Sequence, residues 1–91
     1  MIRAQATVRN ERGIHCRPST VIAKALKSYP GDVRVFGEEG QCNPRSVMEI
    51  MTLALEAGNS VWIEVDGPDE GALCDRAVEL FETHFDFPPR A

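Results

Sequence analysis

Apolar residues in this chain recur with two different periods, and the order in which those periods alternate constrains the fold more than any other feature. From residue 2 to residue 9 the alternation is strict, with Ile2, Ala4, Ala6 and Val8 on one side and Arg3, Gln5, Thr7 and Arg9 on the other. That is the pattern of a half-buried strand. From about Cys16 to Tyr29 the period becomes helical. Pro18, Val21, Ile22, Ala25, Leu26 and Tyr29 fall on one face, with Lys24 and Lys27 off it. Pro18 sits in the first turn, where a missing N–H does no harm, and Pro30-Gly31 stops the helix. Val33 and Val35 then alternate with Arg34 and Phe36, Gly37 to Gly40 turns the chain, and Gln41-Cys42-Asn43 reads as a short return strand. A second helix is expected from Ser46 to about Leu55. It opens on Ser46-Val47-Met48-Glu49, a capping-box signature, and Ala57-Gly58-Asn59 ends it. Val61, Ile63 and Val65 alternate with Trp62, Glu64 and Asp66 as a fourth strand. Gly67-Pro68-Asp69 leads into a last helix whose stripe is Leu73, Cys74, Ala77, Val78, Leu80 and Phe81, extending toward Phe85.

The order β-α-β-β-α-β-α, with one apolar face per strand and one stripe per helix, predicts an α+β fold. Its economical form is a four-stranded, mostly antiparallel sheet with all three helices on one face. The other face is left open, carrying Arg34, Phe36, Trp62 and Glu64. Its two aromatics mark either a contact surface or, as is commoner, a stabilising cross-strand pair. The chain has 91 residues, long enough to bury about 60–65% of its unfolded surface in one modest core. We expect a single domain over residues 1–85 and a short, frayed tail over 86–91.

The rest of the composition mainly excludes. With 43% hydrophobic and 26% charged residues, the chain is neither disordered nor collagen-like. Its three cysteines, Cys16, Cys42 and Cys74, are odd in number and far apart, which argues against a disulfide framework or a zinc site and suits a reducing compartment. No apolar run has the length of a membrane span and the first residues lack signal-peptide anatomy, so a cytoplasmic protein without membrane insertion is expected. A net charge of −4 argues against a nucleic-acid partner. That figure hides a split. Residues 1–48 carry eight basic and four acidic side chains, while residues 49–91 carry two basic and ten acidic.

One short stretch carries chemistry. Gly13-Ile14-His15-Cys16-Arg17-Pro18 lies where the first strand gives way to the first helix. Helix-terminal N–H groups are unpaired and favour negative charge, so an imidazole placed there tends to stay neutral and nucleophilic. A phosphoryl group on His15 would then fall where first-turn N–H groups, including that of Cys16, and the Arg17 guanidinium can hold it. The plainer reading makes His15 a polar cap and Arg17 a solvated side chain.

The chain resembles the histidine-containing phosphocarrier (HPr) family of the phosphoenolpyruvate-dependent sugar phosphotransferase system. The resemblance rests on Gly13-Ile14-His15-x-Arg17-Pro18, on Arg45-Ser46-Val47-Met48-x-x-Met51-x-Leu53, and on Gly58…Val61-x-Ile63…Asp66-Gly67-x-Asp69-Glu70, and it covers about residues 1–85. It implies an open-faced β-sandwich in the element order already reached. It also implies that His15 takes a phosphoryl group on Nδ1 from Enzyme I and passes it to a IIA domain of a sugar permease, with Arg17 balancing the charge. Ser46 would be the site of an ATP-dependent kinase, reversed by a phosphorylase. Thr20, Val47, Met48 and Met51 would form an apolar docking patch, ringed by Lys24, Lys27 and Arg45. Such a protein is a monomeric, stoichiometric carrier rather than an enzyme, and needs neither cofactor nor metal.

Plainer readings stand beside these. Ser46 is explained as a helix cap alone, Met48 and Met51 as core residues, and Lys24 and Lys27 as a solvated face. Cys16 stands where the family usually has Ala, Ser or Thr. Glu49 brings an acid near the docking patch. An alternative function on the same fold is a regulatory protein that binds kinases or transcription factors according to its phosphorylation state. A small enzyme using His15 with Cys16 ranks last, because no orienting acid lies near them in sequence. The charge split predicts a bipolar molecule whose basic face meets acidic partners in brief, electrostatically steered encounters.

Overall fold

The computed structural model describes residues 1–10, 13–14 and 16–83, the side chain of Cys16 excepted. The element order is β1 (Ile2–Thr7), α1 (Cys16–Leu26), β2 (Asp32–Gly37), β3 (Gly40–Cys42), α2 (Val47–Thr52), β4 (Ser60–Asp66) and α3 (Glu70–Glu82). The four strands form one antiparallel sheet in the order β1-β4-β2-β3. This is the expected open-faced α+β architecture.

Strand alternation sets which side chains enter the core. Ala6 on β1, Val33 and Val35 on β2, Cys42 on β3, and Val61, Ile63 and Val65 on β4 are buried. The helices cover that face with Ile22, Ala23 and Leu26 from α1, Ile50 from α2, and Cys74, Ala77 and Phe81 from α3. α3 lies on β1 and β4, and α1 packs against both α2 and α3. The open face carries the other half of the alternation. Phe36 and Trp62 are direct cross-strand partners there. The Arg3 guanidinium lies 4.7 Å from the Trp62 ring centroid and 5.7 Å from that of Phe36. The two aromatics are thus a stabilising pair capped by a cation.

Three boundaries differ from the sequence expectation by two residues or more. β1 ends at Thr7, and Val8 pairs instead with a loop, donating to the Asn59 carbonyl at 2.8 Å and accepting from the Gly58 N–H at 2.8 Å. α1 ends at Leu26 rather than Tyr29. The Tyr29 N–H still reaches the Leu26 carbonyl, but as a turn, and its hydroxyl donates to the Pro68 carbonyl. α2 is the shortest helix and stops at Thr52. On an ideal helix, positions 53 and 55 point in nearly opposite directions, so one face cannot bury both. Here both leucines are buried because Ala54 turns left-handed, with φ 49°. The cap of α2 is also rearranged. The Glu49 N–H donates to Ser46 Oγ at 3.3 Å, as expected, but the Glu49 carboxylate accepts from the Asn43 N–H, not from Ser46.

Candidate functional site

Between β1 and α1, Asn10 and Gly13 are bonded to each other. The Gly13 N–H donates to the Asn10 carbonyl and Asn10 Nδ2 donates back to the Gly13 carbonyl, both at 2.8 Å. Gly13 has φ 71°, and a Cβ there would fall onto the Leu55 carbonyl oxygen. Only glycine combines that conformation with so close an approach. The next residue, Ile14, buries its side chain in the core and donates its N–H to the Leu55 carbonyl at 3.0 Å. His15 itself lies outside the described residues, as do Arg12, His84, Phe85 and the 86–91 tail. Ile14 is pinned to the core on one side, and Cys16 opens α1 on the other.

α1 then presents a continuous exposed stripe. Arg17, Thr20, Val21 and Lys24 are all exposed, and their spacing of three and four residues places them along one side of the helix, with Lys27 exposed in the turn that follows it. Pro18 and Ser19 are buried beneath them. Arg17 and Thr20 both have polar or ionic partners in the structure. α2 packs beside this helix and contributes Met48, 78% exposed, and Met51, 46% exposed. The core reading of these two methionines is therefore corrected: Ile50 points inward and the methionines point out. Val47 is partly buried against the core.

Arg45 is placed differently from the lysines. Its Nη1 donates to the carbonyls of Tyr29 at 3.0 Å and Gly31 at 2.9 Å, and its Nε donates to Asn43 Oδ1 at 3.1 Å. It joins the end of α1 to the start of α2. Ser46, half-buried, spends its Oγ on the α2 cap. Glu49 is exposed on the same helix. Among the described residues no cluster of three or more His, Cys, Asp or Glu side chains is arranged to hold a metal ion. Burial pushes the Cys42 thiol up to about 12, with Glu49 adding to the effect, and burial also raises Cys74. Neither thiol forms an available nucleophile.

Sequence reasoning missed Asn10 as part of this construction. The signal was present in the polar break Asn10-Glu11-Arg12-Gly13, since asparagine followed by glycine at this spacing is turn chemistry. It also missed the contribution of the loop after α2, whose Leu55 carbonyl anchors Ile14.

Fold and surface together define a class: an open-faced sandwich whose first helix packs against a short helix with outward methionines. Residues 2–83 match the family described as PTS HPr component, phosphorylation site. The chain belongs to this HPr family, whose members are phosphocarriers of the phosphotransferase system rather than enzymes in the usual sense. It is 29% identical over 82 residues to the phosphocarrier protein HPr of Mycoplasma capricolum, covering 90% of this chain and 88% of that one. It is 28% identical to the HPr of Treponema pallidum, covering 94% of this chain and 98% of that one. Among solved structures, HPr from Thermoanaerobacter tengcongensis superposes with a TM-score of 0.81 at 26% identity, over 89% of this chain and 91% of that one. No helix among the described residues is long and apolar enough to cross a membrane.

Proposed function

We propose that His15 accepts a phosphoryl group on Nδ1 from phosphorylated Enzyme I and delivers it to IIA domains of sugar permeases in the cytoplasm. A P–N bond to His15 forms as the bond to the donor breaks, and the reverse occurs on delivery. The first-turn N–H groups of α1 and the Arg17 guanidinium hold the charge between the two transfers. The observation that carries the reading is the exposure of Met48 and Met51 on a helix packed against α1. Adaptable apolar side chains on α2, with Arg17 and Lys24 exposed on the helix it packs against and Lys27 exposed just beyond that helix, suit a surface that must meet several acidic partners briefly. Thr20 and Val47 extend the patch, and Arg45 sets the position of α2 within it.

Ser46 is a second point of control in this reading. A phosphoryl group on its hydroxyl would introduce negative charge next to Met48 and weaken docking by acidic partners. Incubation with ATP and a serine kinase of this system should label wild-type protein and leave Ser46→Ala unlabelled. Label absent from the wild type would leave Ser46 a cap alone.

The main test is incubation with phosphoenolpyruvate, Mg²⁺ and Enzyme I. An acid-labile, base-stable phosphate should form on the wild type and not on His15→Ala. Labelling that survives His15→Ala would defeat the assignment.

A further inference from the structure

We propose that Asn10 is a positioning residue for phosphoryl transfer at His15. The inference rests on the reading of His15 as acceptor and adds the device that fixes where it stands. A carrier must offer its imidazole to two different partners, each bringing its own phosphoryl centre in line. The acceptor must therefore be held by the carrier itself. A misplacement of about 1 Å at such a centre costs on the order of 100-fold in rate.

Asn10 is suited to that task. Its side chain is only 3% exposed, and it closes a reciprocal pair of hydrogen bonds with Gly13 within the loop that leads into His15. It touches neither helix of the docking face through those bonds. From Gly13 the constraint passes through one residue, Ile14, which is fixed by its buried side chain and by its N–H bond to Leu55. The supporting loop is itself closed. Asn59 Oδ1 accepts from the Glu56 N–H at 2.8 Å, and the Asn59 N–H donates to the Glu56 carbonyl at 3.0 Å. The same loop pairs with Val8 ahead of Asn10. Val8 and Ile14 are thus both hydrogen-bonded to the 55–59 segment, and between them Asn10 ties itself to Gly13. Loss of its amide leaves the Gly13 carbonyl without that side-chain donor in a place shielded from water, and Gly13 loses one of the bonds that set its place ahead of Ile14.

The test compares Asn10→Ala, Asn10→Ser and a control, Leu80→Ala, which trims a partly buried side chain on α3. Each is assayed as the substrate of Enzyme I below its unfolding temperature. Asn10→Ala should lower kcat about tenfold or more while KM stays within about twofold, because the docking surface is intact. Asn10→Ser keeps a hydroxyl donor and should recover part of the rate. Leu80→Ala should lose stability without losing kcat. Nitrogen-edited proton spectra of the His15 ring should shift or broaden in Asn10→Ala and not in Leu80→Ala. Unchanged kcat and unchanged ring signals in both Asn10 variants would overturn the proposal, as would an equal loss of kcat in the control. Wild-type protein that takes no label at His15 would instead defeat the acceptor assignment, and the proposal with it.

Discussion

The guanidinium of Arg45 donates to the backbone carbonyl of Tyr29 at 3.0 Å, tying the entrance of α2 to the exit of α1. The same nitrogen reaches Gly31, and Nε reaches Asn43 Oδ1. The two helices that carry the docking face are therefore joined at one end by a single side chain. Arg45→Met, which keeps the aliphatic stem, should destabilise the protein by about 1.5–3 kcal/mol, the range for charge-assisted hydrogen bonds. Urea unfolding measures this directly. Arg45→Lys should recover only a part, because an ammonium lacks the planar fork that engages three acceptors at once. Full recovery by lysine would mean that charge alone matters at this position.

On the open face, Arg3 sits over Trp62 and Phe36 and also lies 3.7 Å from the Glu64 carboxylate. The arginine side chain is half exposed, so the ion pair is screened and contributes little. The ring contact should dominate. Arg3→Ala should cost about 0.5–1 kcal/mol and Glu64→Gln appreciably less. A double-mutant cycle between Arg3 and Trp62 should return a coupling that persists at high salt. A coupling abolished by salt would assign the energy to Glu64 instead.

How much of this was legible in the sequence depends on whether a residue's role is set by its own neighbourhood. Val61, Ile63 and Val65 alternate because a strand alternates, and their burial followed directly. The Met48 and Met51 positions were ambiguous, since a short helix offers too few turns to define its inner face. Burial of Ile50 decides it. The end of α2 was not readable because it depends on Leu53 and Leu55 both reaching a core built by distant strands. The left-handed turn at Ala54 is the means by which they do. Arg45 was read by charge alone. Its actual partners lie 14 and 16 residues away in the chain, which local pattern does not report. Asn10 shows the reverse: a local turn whose consequence depends on the Leu55 carbonyl, distant in sequence, lying against Gly13 and bonding Ile14.

The buried thiols give a pH prediction. Cys42 is held up to about 12 by burial, against an ordinary value near 9, so the folded state keeps the proton after the unfolded chain has lost it. For a group that is neutral when protonated, this stability is fully present below about pH 9 and is lost as pH rises toward about 12. Cys42→Ser should flatten the loss of stability over that window. In native protein at neutral pH, Cys42 and Cys74 should resist alkylation until the chain unfolds, as read by mass spectrometry of labelled peptides. Rapid native labelling of Cys42 would contradict its burial.

The docking face can be separated from the core by the exposure of its parts. Met48 is 78% exposed, so Met48→Ala should change stability by no more than about 0.5 kcal/mol. If the side chain anchors partners, the same change should raise the KM of Enzyme I for this carrier several-fold and leave kcat nearly unaltered. Lys24, exposed on the adjacent helix, and Lys27, exposed in the turn after it, act at longer range. Lys24→Glu with Lys27→Glu should slow association rather than speed dissociation, and the loss should be largest at low ionic strength. Stopped-flow transfer measured across a salt series distinguishes the two contributions. The methionine effect should be nearly independent of salt, whereas the lysine effect should fade as salt rises. A wild-type rate indifferent to salt would remove steering from the account, and the charge difference between the two halves of the chain would then have no role in partner capture.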